Sequence, residues 1–264
     1  MFGGEKMNYE PLQGKDFEFA NFQTNKDGDS GKLLLATLKT EPKTQYVVKC
    51  VYPEDVCNEF MYHHAATALG LNTQEARLFK GIKGRKYAVG IKYVPNARKF
   101  IHDEAAEENK QDFYRFMMLY IILNEDDSEE YYYDEQNKIF KLDNAASFSI
   151  GELAVSTAIK LNGKEPPPHF WELMRTTANN IDLLRYKIQI QGIGKHFGNE
   201  AAKTAYDFLD RFTKIDIGEI EKATEALEQI YPIEITEYYP VFIEKRIEAC
   251  RRFLTEYSLE ELLN

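Results

Sequence analysis

Residues 113–148 read FYRFMMLYIILNEDDSEEYYYDEQNKIFKLDNAASF, and the order of elements in this stretch decides the fold. An apolar helix is expected first, then an acidic loop, a short strand and the tripeptide Leu142-Asp143-Asn144. Asp126 and Asp143 lie 17 positions apart, each after an apolar element. A phosphoryl-transfer site needs one carboxylate to orient the attacking hydroxyl and another to hold the metal that bridges the phosphates. The alternative is a solvated acidic hairpin that joins a core helix to a core strand.

The composition allows one large core or two lobes that share an interface, because 44% of the 264 residues are apolar. The formal net charge of −10 and the pI of about 5.2 make broad binding to nucleic acid unfavourable. A local basic pocket for one nucleotide remains compatible with this charge.

The sequence also favours a cytoplasmic protein with no membrane segment. Residues 1–13 contain no apolar run, and the longest apolar run, residues 116–123, is too short to span a bilayer. Cys50, Cys57 and Cys250 are odd in number and show no CxxC spacing. We therefore expect reduced thiols rather than a disulfide framework or a zinc site.

A lysine stands inside a run of strong β-formers, residues 46–50 (YVVKC). A lysine on an interior strand is costly unless it has a partner. Glu59 lies ten residues after Lys49, at the start of a helix expected over 55–69 and ended by Gly70. Kinase folds use a strand lysine paired with a helix glutamate to steady the lysine that touches the nucleotide phosphates. Alternatively, Lys49 is at a sheet edge and Glu59 caps the first helical turn.

The element order predicts an α+β protein with two lobes. We expect a β-rich N-lobe over residues 1–95 and a helical C-lobe over 96–264. Strands are expected at 33–38, 46–51, 75–79 and 86–93, and helices at 151–162, 169–190, 199–213, 217–230 and 237–256. The helices are expected to break at Gly192, Gly194 and Gly198, and to bury a stripe that contains Leu184 and Ile188.

Two connections could contact a nucleotide in such a fold. Asp27–Lys32 is rich in turn-forming residues and either covers phosphates with its backbone amides or forms an ordinary hairpin turn. Tyr93 and Val94 leave the sheet where the hinge of a two-lobed kinase would be.

The chain resembles the HipA-like kinases over roughly residues 30–255. This family groups with the phosphatidylinositol 3- and 4-kinase-like atypical kinases, and the C-terminal run 231–254 is similar to the last helices of small single-domain HipA-like proteins of bacteria. The resemblance rests on the joint order of several short motifs: Tyr46-Val47-Val48-Lys49, Asn58-Glu59-Phe60, ATALGL at 66–71, a strand over 87–93, Asn124-x-Asp126 and Leu142-Asp143-x-x-x-x-Phe148.

This resemblance implies a protein-kinase-like fold and an ATP-dependent transfer of phosphate to a serine or threonine hydroxyl of a protein, with Mg²⁺ as the metal. It implies the following roles: Lys49 contacts the phosphates of ATP, Glu59 holds Lys49, Asp126 is the catalytic carboxylate, Asp143 binds magnesium, and Tyr93 and Val94 line the hinge. Magnesium suits such a site because it takes carboxylates together with phosphate oxygens.

Three departures from the family pattern leave two alternatives open. Tyr131 stands where an asparagine metal ligand is usual, Asp127 replaces a basic residue, and Asn144-Ala145 follows Asp143. Either Glu129, Glu130 or Asn144 supplies the second metal ligand, or the loop has lost catalysis and the chain is a pseudokinase that binds nucleotide or protein.

Two readings outside the kinases are a metal-dependent hydrolase that uses the acidic loop and a helical interaction protein without a ligand. A hydrolase would favour histidines close to the acidic residues in sequence, and the five histidines of this chain do not flank them.

Overall fold

The structure is a computed structural model, and it describes residues 9–22, 33–49, 53–84, 88–125, 130–144, 147–148, 183–230 and 238–263. Within these ranges it has nine strands, seven α-helices and two short 3₁₀ turns, Gly14–Asp16 and His102–Glu104.

A six-stranded sheet forms the first part of the chain. Its strands are β1 (Leu12–Gln13), β2 (Phe17–Asn21), β3 (Leu34–Leu38), β4 (Gln45–Lys49), β5 (Ala76–Lys80) and β6 (Val89–Lys92), in the spatial order β1-β5-β6-β4-β3-β2. Only the β1–β5 pair is parallel among these strands.

The sheet gives Lys49 its direction. Tyr46 and Val48 are buried in an apolar cluster with Phe17 and Phe79 on one face of the sheet. Because side chains alternate along a strand, Lys49 leaves β4 on the opposite face.

Helix α1 (Pro53–Ala68) is a core helix. Every residue from Val56 to Ala66 is buried, and the helix packs against β5 and β6 and against a later helix, α5 (Ile217–Glu228). Burial lowers the pKa of His64 to about 3, so this imidazole is neutral in the folded protein. Gly70 ends the helix as expected: its φ is +64°, and the amide of Leu71 donates to the carbonyl of Ala66.

A second, three-stranded antiparallel sheet follows. It contains β7 (Arg98–Lys99), β8 (Glu130–Tyr133) and β9 (Ile139–Leu142) in that order, with helix α2 (Glu107–Ile122) between β7 and β8 in the chain. The tight β8–β9 turn is stabilised by Asp134, whose Oδ1 accepts the amides of Gln136 and Lys138. The strand predicted before Asp143 is therefore β9, whereas its pairing with β8 was not predicted.

The helical part contains α3 (Leu183–Phe197), α4 (Asn199–Phe212), α5 (Ile217–Glu228), α6 (Tyr238–Glu256) and α7 (Leu259–Leu263). Helix α4 packs against α2, α3 and α6, and α5 packs against α6. The predicted order of a strand-rich first third and a helical remainder is confirmed in the described ranges. The predicted helix 151–162 and the first part of the predicted helix 169–190 lie outside the described residues.

Two details of the helical prediction are wrong. Helix α3 continues through Gly192 and Gly194 to Phe197, and the chain turns only at Gly198. A Cβ on Gly194 would lie 3.1 Å from Leu263 and 3.2 Å from Ala202, so this glycine permits close helix packing rather than a break.

The predicted buried stripe on α3 is on the wrong face. Leu184 and Ile188 are 54% and 59% exposed. The core side of the helix is formed by other residues, Leu183, Tyr186, Ile190 and Ile193.

The membrane prediction can be tested only in part. None of the helices within the described ranges is both long enough and apolar enough to cross a membrane.

Candidate active site

Lys49 joins two acidic residues that are far apart in the sequence. Its Nζ lies 2.7 Å from Oε2 of Glu59 and 2.8 Å from Oδ1 of Asp143. The Glu59 carboxylate is buried, whereas the side chain of Asp143 is 49% exposed. The predicted ion pair between Lys49 and Glu59 is confirmed, and Asp143 is brought to the same ammonium group.

The electrostatics keep this pair charged. Burial alone would lower the pKa of Lys49, but the carboxylates of Glu59 and Asp143 outweigh it and raise the pKa above its ordinary value. Burial alone would raise the pKa of Glu59, but Lys49 and a hydrogen bond from His63 hold it well below its usual range. Both groups are therefore ionised at neutral pH.

Glu59 is the centre of a buried hydrogen-bond network. Its Oε2 also accepts the backbone amide of Asn144 at 3.1 Å, and its Oε1 is 3.4 Å from Nδ2 of Asn144 and 3.1 Å from Nε2 of His63. An ionised carboxylate only accepts, so Nε2 of His63 is the donor. The side chain of Glu59 thus fixes both Lys49 and the turn that follows β9.

The Asp143–Asn144 turn has an unusual backbone. Asp143 has a φ of +58°, in the left-handed region that aspartate and asparagine tolerate better than most residues. Asn144 is fully buried, and its Oδ1 accepts a hydrogen bond from Nζ of Lys141 at 2.9 Å. A metal ion on this oxygen would share it with the ammonium group of Lys141.

Lys141 and Glu125 are site residues that the sequence interpretation missed. Both side chains are fully buried, and Nζ of Lys141 donates to Oε1 of Glu125 and, at 3.3 Å, to the carbonyl of Asp143. The same Nζ lies 5.5 Å from the ring centroid of Tyr62. The signal that revealed Lys49, a lysine inside a run of β-formers, is also present in residues 139–142 (IFKL).

The predicted hinge residues continue from β6. The amide of Tyr93 donates to the carbonyl of Gln45 at 2.8 Å, and its ring packs edge-on against Phe22, with the centroids 5.7 Å apart. Tyr93 and Val94 are partly buried, and a turn with Asn96 at a φ of +59° follows them.

Several candidate residues lie outside the described ranges. These are Asp126, Asp127 and Glu129 of the acidic loop and the whole Asp27–Lys32 connection. The convergence of Asp126 with Asp143 therefore stays a prediction. Glu130, the last acidic candidate, begins β8, and its Oε2 accepts the hydroxyl of Tyr132 at 3.2 Å.

Tyr131 stands where the HipA-like resemblance implies a metal-binding asparagine, and it is a core residue. It is 7% exposed, and its ring lies 5.1 Å from Phe113, 5.9 Å from Phe116 and 6.4 Å from Phe100, between centroids. This position on β8 therefore packs against α2.

Replacing Tyr131 by asparagine should destabilise the protein without increasing turnover. Loss of a large buried aromatic side chain typically costs about 3–5 kcal/mol. Urea unfolding of Y131N and of Y132N, at the partly buried neighbour on β8, measures this cost, and we expect the larger loss for Y131N. A stable Y131N with faster phosphate transfer would show that this position can supply a metal ligand.

Comparison with known proteins identifies the fold. No family model matches the chain, and no curated protein matches it. Among solved structures, the crystal structure of a Helicobacter pylori proinflammatory kinase, CtkA, matches with a TM-score of 0.55 at 14% sequence identity. The match covers 94% of this chain and 100% of that chain. The fold is kinase-like. This α+β chain has a small β-rich N-lobe and a larger helical C-lobe. The likeness to the CtkA structure shows the fold alone.

Proposed function

We propose that this chain is an ATP-dependent phosphotransferase, related to the HipA-like kinases, that phosphorylates a hydroxyl group of a protein. The observation that carries the proposal is the position of one lysine between two carboxylates, with Nζ of Lys49 2.7 Å from Glu59 and 2.8 Å from Asp143. This is the set of groups that a kinase fold uses to hold nucleotide phosphates and their metal. The matching kinase structure supports the same reading at the level of the fold.

Each residue has a proposed role. Lys49 binds the phosphates of ATP and Glu59 keeps its ammonium group in place, while Tyr93 and Val94 flank the adenine. Asp126 accepts the proton of the attacking hydroxyl group. In this proposal the N-lobe covers residues 1–95 and the C-lobe covers 96–264.

The donors at this site fit magnesium. The half-exposed carboxylate of Asp143 has the hard oxygen ligands that Mg²⁺ prefers, and the phosphates of ATP would supply more. Asn144 is the second proposed ligand: one lone pair of its Oδ1 accepts the hydrogen bond from Lys141, and the other would be available to the metal. When bound, the metal would neutralise charge that develops on the phosphates.

One observation favours a second candidate, a pseudokinase that binds nucleotide or protein without transferring phosphate. The side chain of Tyr131 lies in the aromatic core where active relatives are expected to have a metal ligand. The metal would then depend on Asp143 and on Asn144 or the acidic loop.

Two measurements on the wild-type protein separate these candidates. We expect ATP to raise the melting temperature only when magnesium is present, and labelled ATP to phosphorylate the chain itself or a general protein substrate such as casein. Stabilisation by ATP without any transfer would identify a nucleotide-binding pseudokinase. No stabilisation and no transfer would contradict the phosphotransferase and the nucleotide-binding pseudokinase, and would leave only a pseudokinase that binds protein.

A further inference from the structure

We propose that Lys141 is a positioning residue that holds Glu125, just after the end of α2, and the Asp143–Asn144 turn at a fixed separation. The inference rests on the proposed function, because it assigns the two held segments to phosphate transfer. It concerns a fully buried side chain that acts through its neighbours.

The contacts of Lys141 connect the two segments directly. On one side, its Nζ pairs with Glu125, the residue immediately before Asp126. On the other side, the same Nζ donates to Oδ1 of Asn144 at 2.9 Å and to the carbonyl of Asp143 at 3.3 Å. One ammonium group therefore binds the residue that precedes Asp126 in sequence and the turn that carries the proposed metal ligand Asp143.

The network continues from this turn to the phosphate-binding lysine. Asn144 donates its amide to Glu59, and Glu59 binds Lys49, whose Nζ returns to Asp143. The chain of contacts from Glu125 to Lys49 thus runs through Lys141, the neutral Asn144 and Glu59. Movement of Lys141 would be transmitted to Asn144 and Asp143 first.

A buried ion pair is a poor choice for stability alone. Lys141 and Glu125 are both fully buried, and apolar side chains of similar volume often serve as well or better in such positions. An apolar pair would not supply directional contacts to three oxygen atoms in two segments. The geometry therefore points to a role in placing these segments.

A backbone hydrogen bond joins the two segments independently of Lys141. The amide of Phe148 donates to the carbonyl of Leu123 at 2.8 Å, which ties the chain after Asn144 to the end of α2. A double variant, Lys141→Met with Glu125→Gln, removes both charges and keeps the side-chain lengths. We expect it to fold with a lower melting temperature than the wild type, because the buried Oδ1 of Asn144 loses its donor Lys141.

The test measures transfer and local exchange on this double variant. A misplacement of about 1 Å can cost on the order of 100-fold in rate, so we expect kcat to fall about 100-fold with a smaller change in the KM for ATP. We also expect the protected amides of Glu125 and Asn144 to exchange hydrogen on the order of ten-fold faster, with α4 unchanged. The control is Lys203→Met with Asp207→Asn, the same pair of changes at an exposed ion pair on α4, which should alter neither quantity.

The outcomes distinguish this inference from the proposed function. Wild-type kcat and wild-type exchange in the double variant would overturn the positioning role while phosphotransfer stands. If the wild type transfers no phosphate, the proposed function fails, and exchange alone decides the positioning role. If the double variant does not fold, the single variant Glu125→Gln is measured instead. Unchanged exchange at Asn144 and unchanged kcat would overturn the positioning role. Faster exchange with a lower kcat would support it.

Discussion

Replacing Asp143 by asparagine is expected to lower the rate of phosphate transfer about 1,000-fold, because a metal ion supplies several kcal/mol of charge stabilisation in such a reaction. Asparagine is the best-matched change, since Asp143 has a φ of +58° and asparagine tolerates this conformation. Alanine at this position should abolish transfer as well, but with some backbone strain. Transfer of phosphate from labelled ATP measures the effect.

The same variant should lose the magnesium-dependent part of ATP binding. Because the side chain of Asp143 is 49% exposed, we expect its melting temperature without ligand to stay near that of the wild type. Asp126→Asn is the contrasting variant: it should slow transfer while ATP with magnesium still stabilises the protein, since Asp126 is proposed to act on the hydroxyl group. Undiminished transfer by both Asp143 variants would mean that another residue holds the metal.

Removal of Glu59 is expected to destabilise the protein strongly. Glu59→Ala leaves the ammonium group of Lys49 and the amide of Asn144 without their buried acceptor. Breaking one side of a buried ion pair typically costs about 3–5 kcal/mol. Urea unfolding should show a loss of this size, and phosphate transfer should disappear with it.

Lys49→Met is the matched change on the other side of the pair. Glu59 would keep its donors from His63 and Asn144, so we expect a smaller loss of stability than for Glu59→Ala. Transfer should nevertheless be lost, because the proposed phosphate ligand is gone. Equal losses of stability in the two variants would show that Glu59 does not organise the site in the way the contacts indicate.

The parts of this site that the sequence predicted depend on local signals. Lys49 stands out as a charge inside a β-forming run, and Glu59 lies on the next helix, which Gly70 ends. Both signals lie within about twenty residues of each other, so the pairing follows from short-range geometry. The position of Asp143 after an apolar strand is another local feature.

The parts that the sequence missed depend on tertiary packing. The side-chain spacing of Leu184 and Ile188 suits a buried stripe, but the spacing of Tyr186, Ile190 and Ile193 suits one equally well. Neighbouring helices decide which face is covered. In the same way, nothing local indicates that an amide at Asn144 would bind a carboxylate 85 residues earlier.

The burial of α1 bears on how such an enzyme would be controlled. In protein kinases, movement of the helix that carries the conserved glutamate is a common means of switching activity. Here α1 lies between the sheet and α5, and Asn58 accepts a hydrogen bond from Tyr239 of α6 at 2.9 Å. Swinging this helix outward would expose buried residues on all of its sides. We therefore expect activity to be regulated where nucleotide or protein substrate enters, and α1 to stay in place. In that case the amides of α1 should exchange hydrogen as slowly as those of α4, with or without ATP.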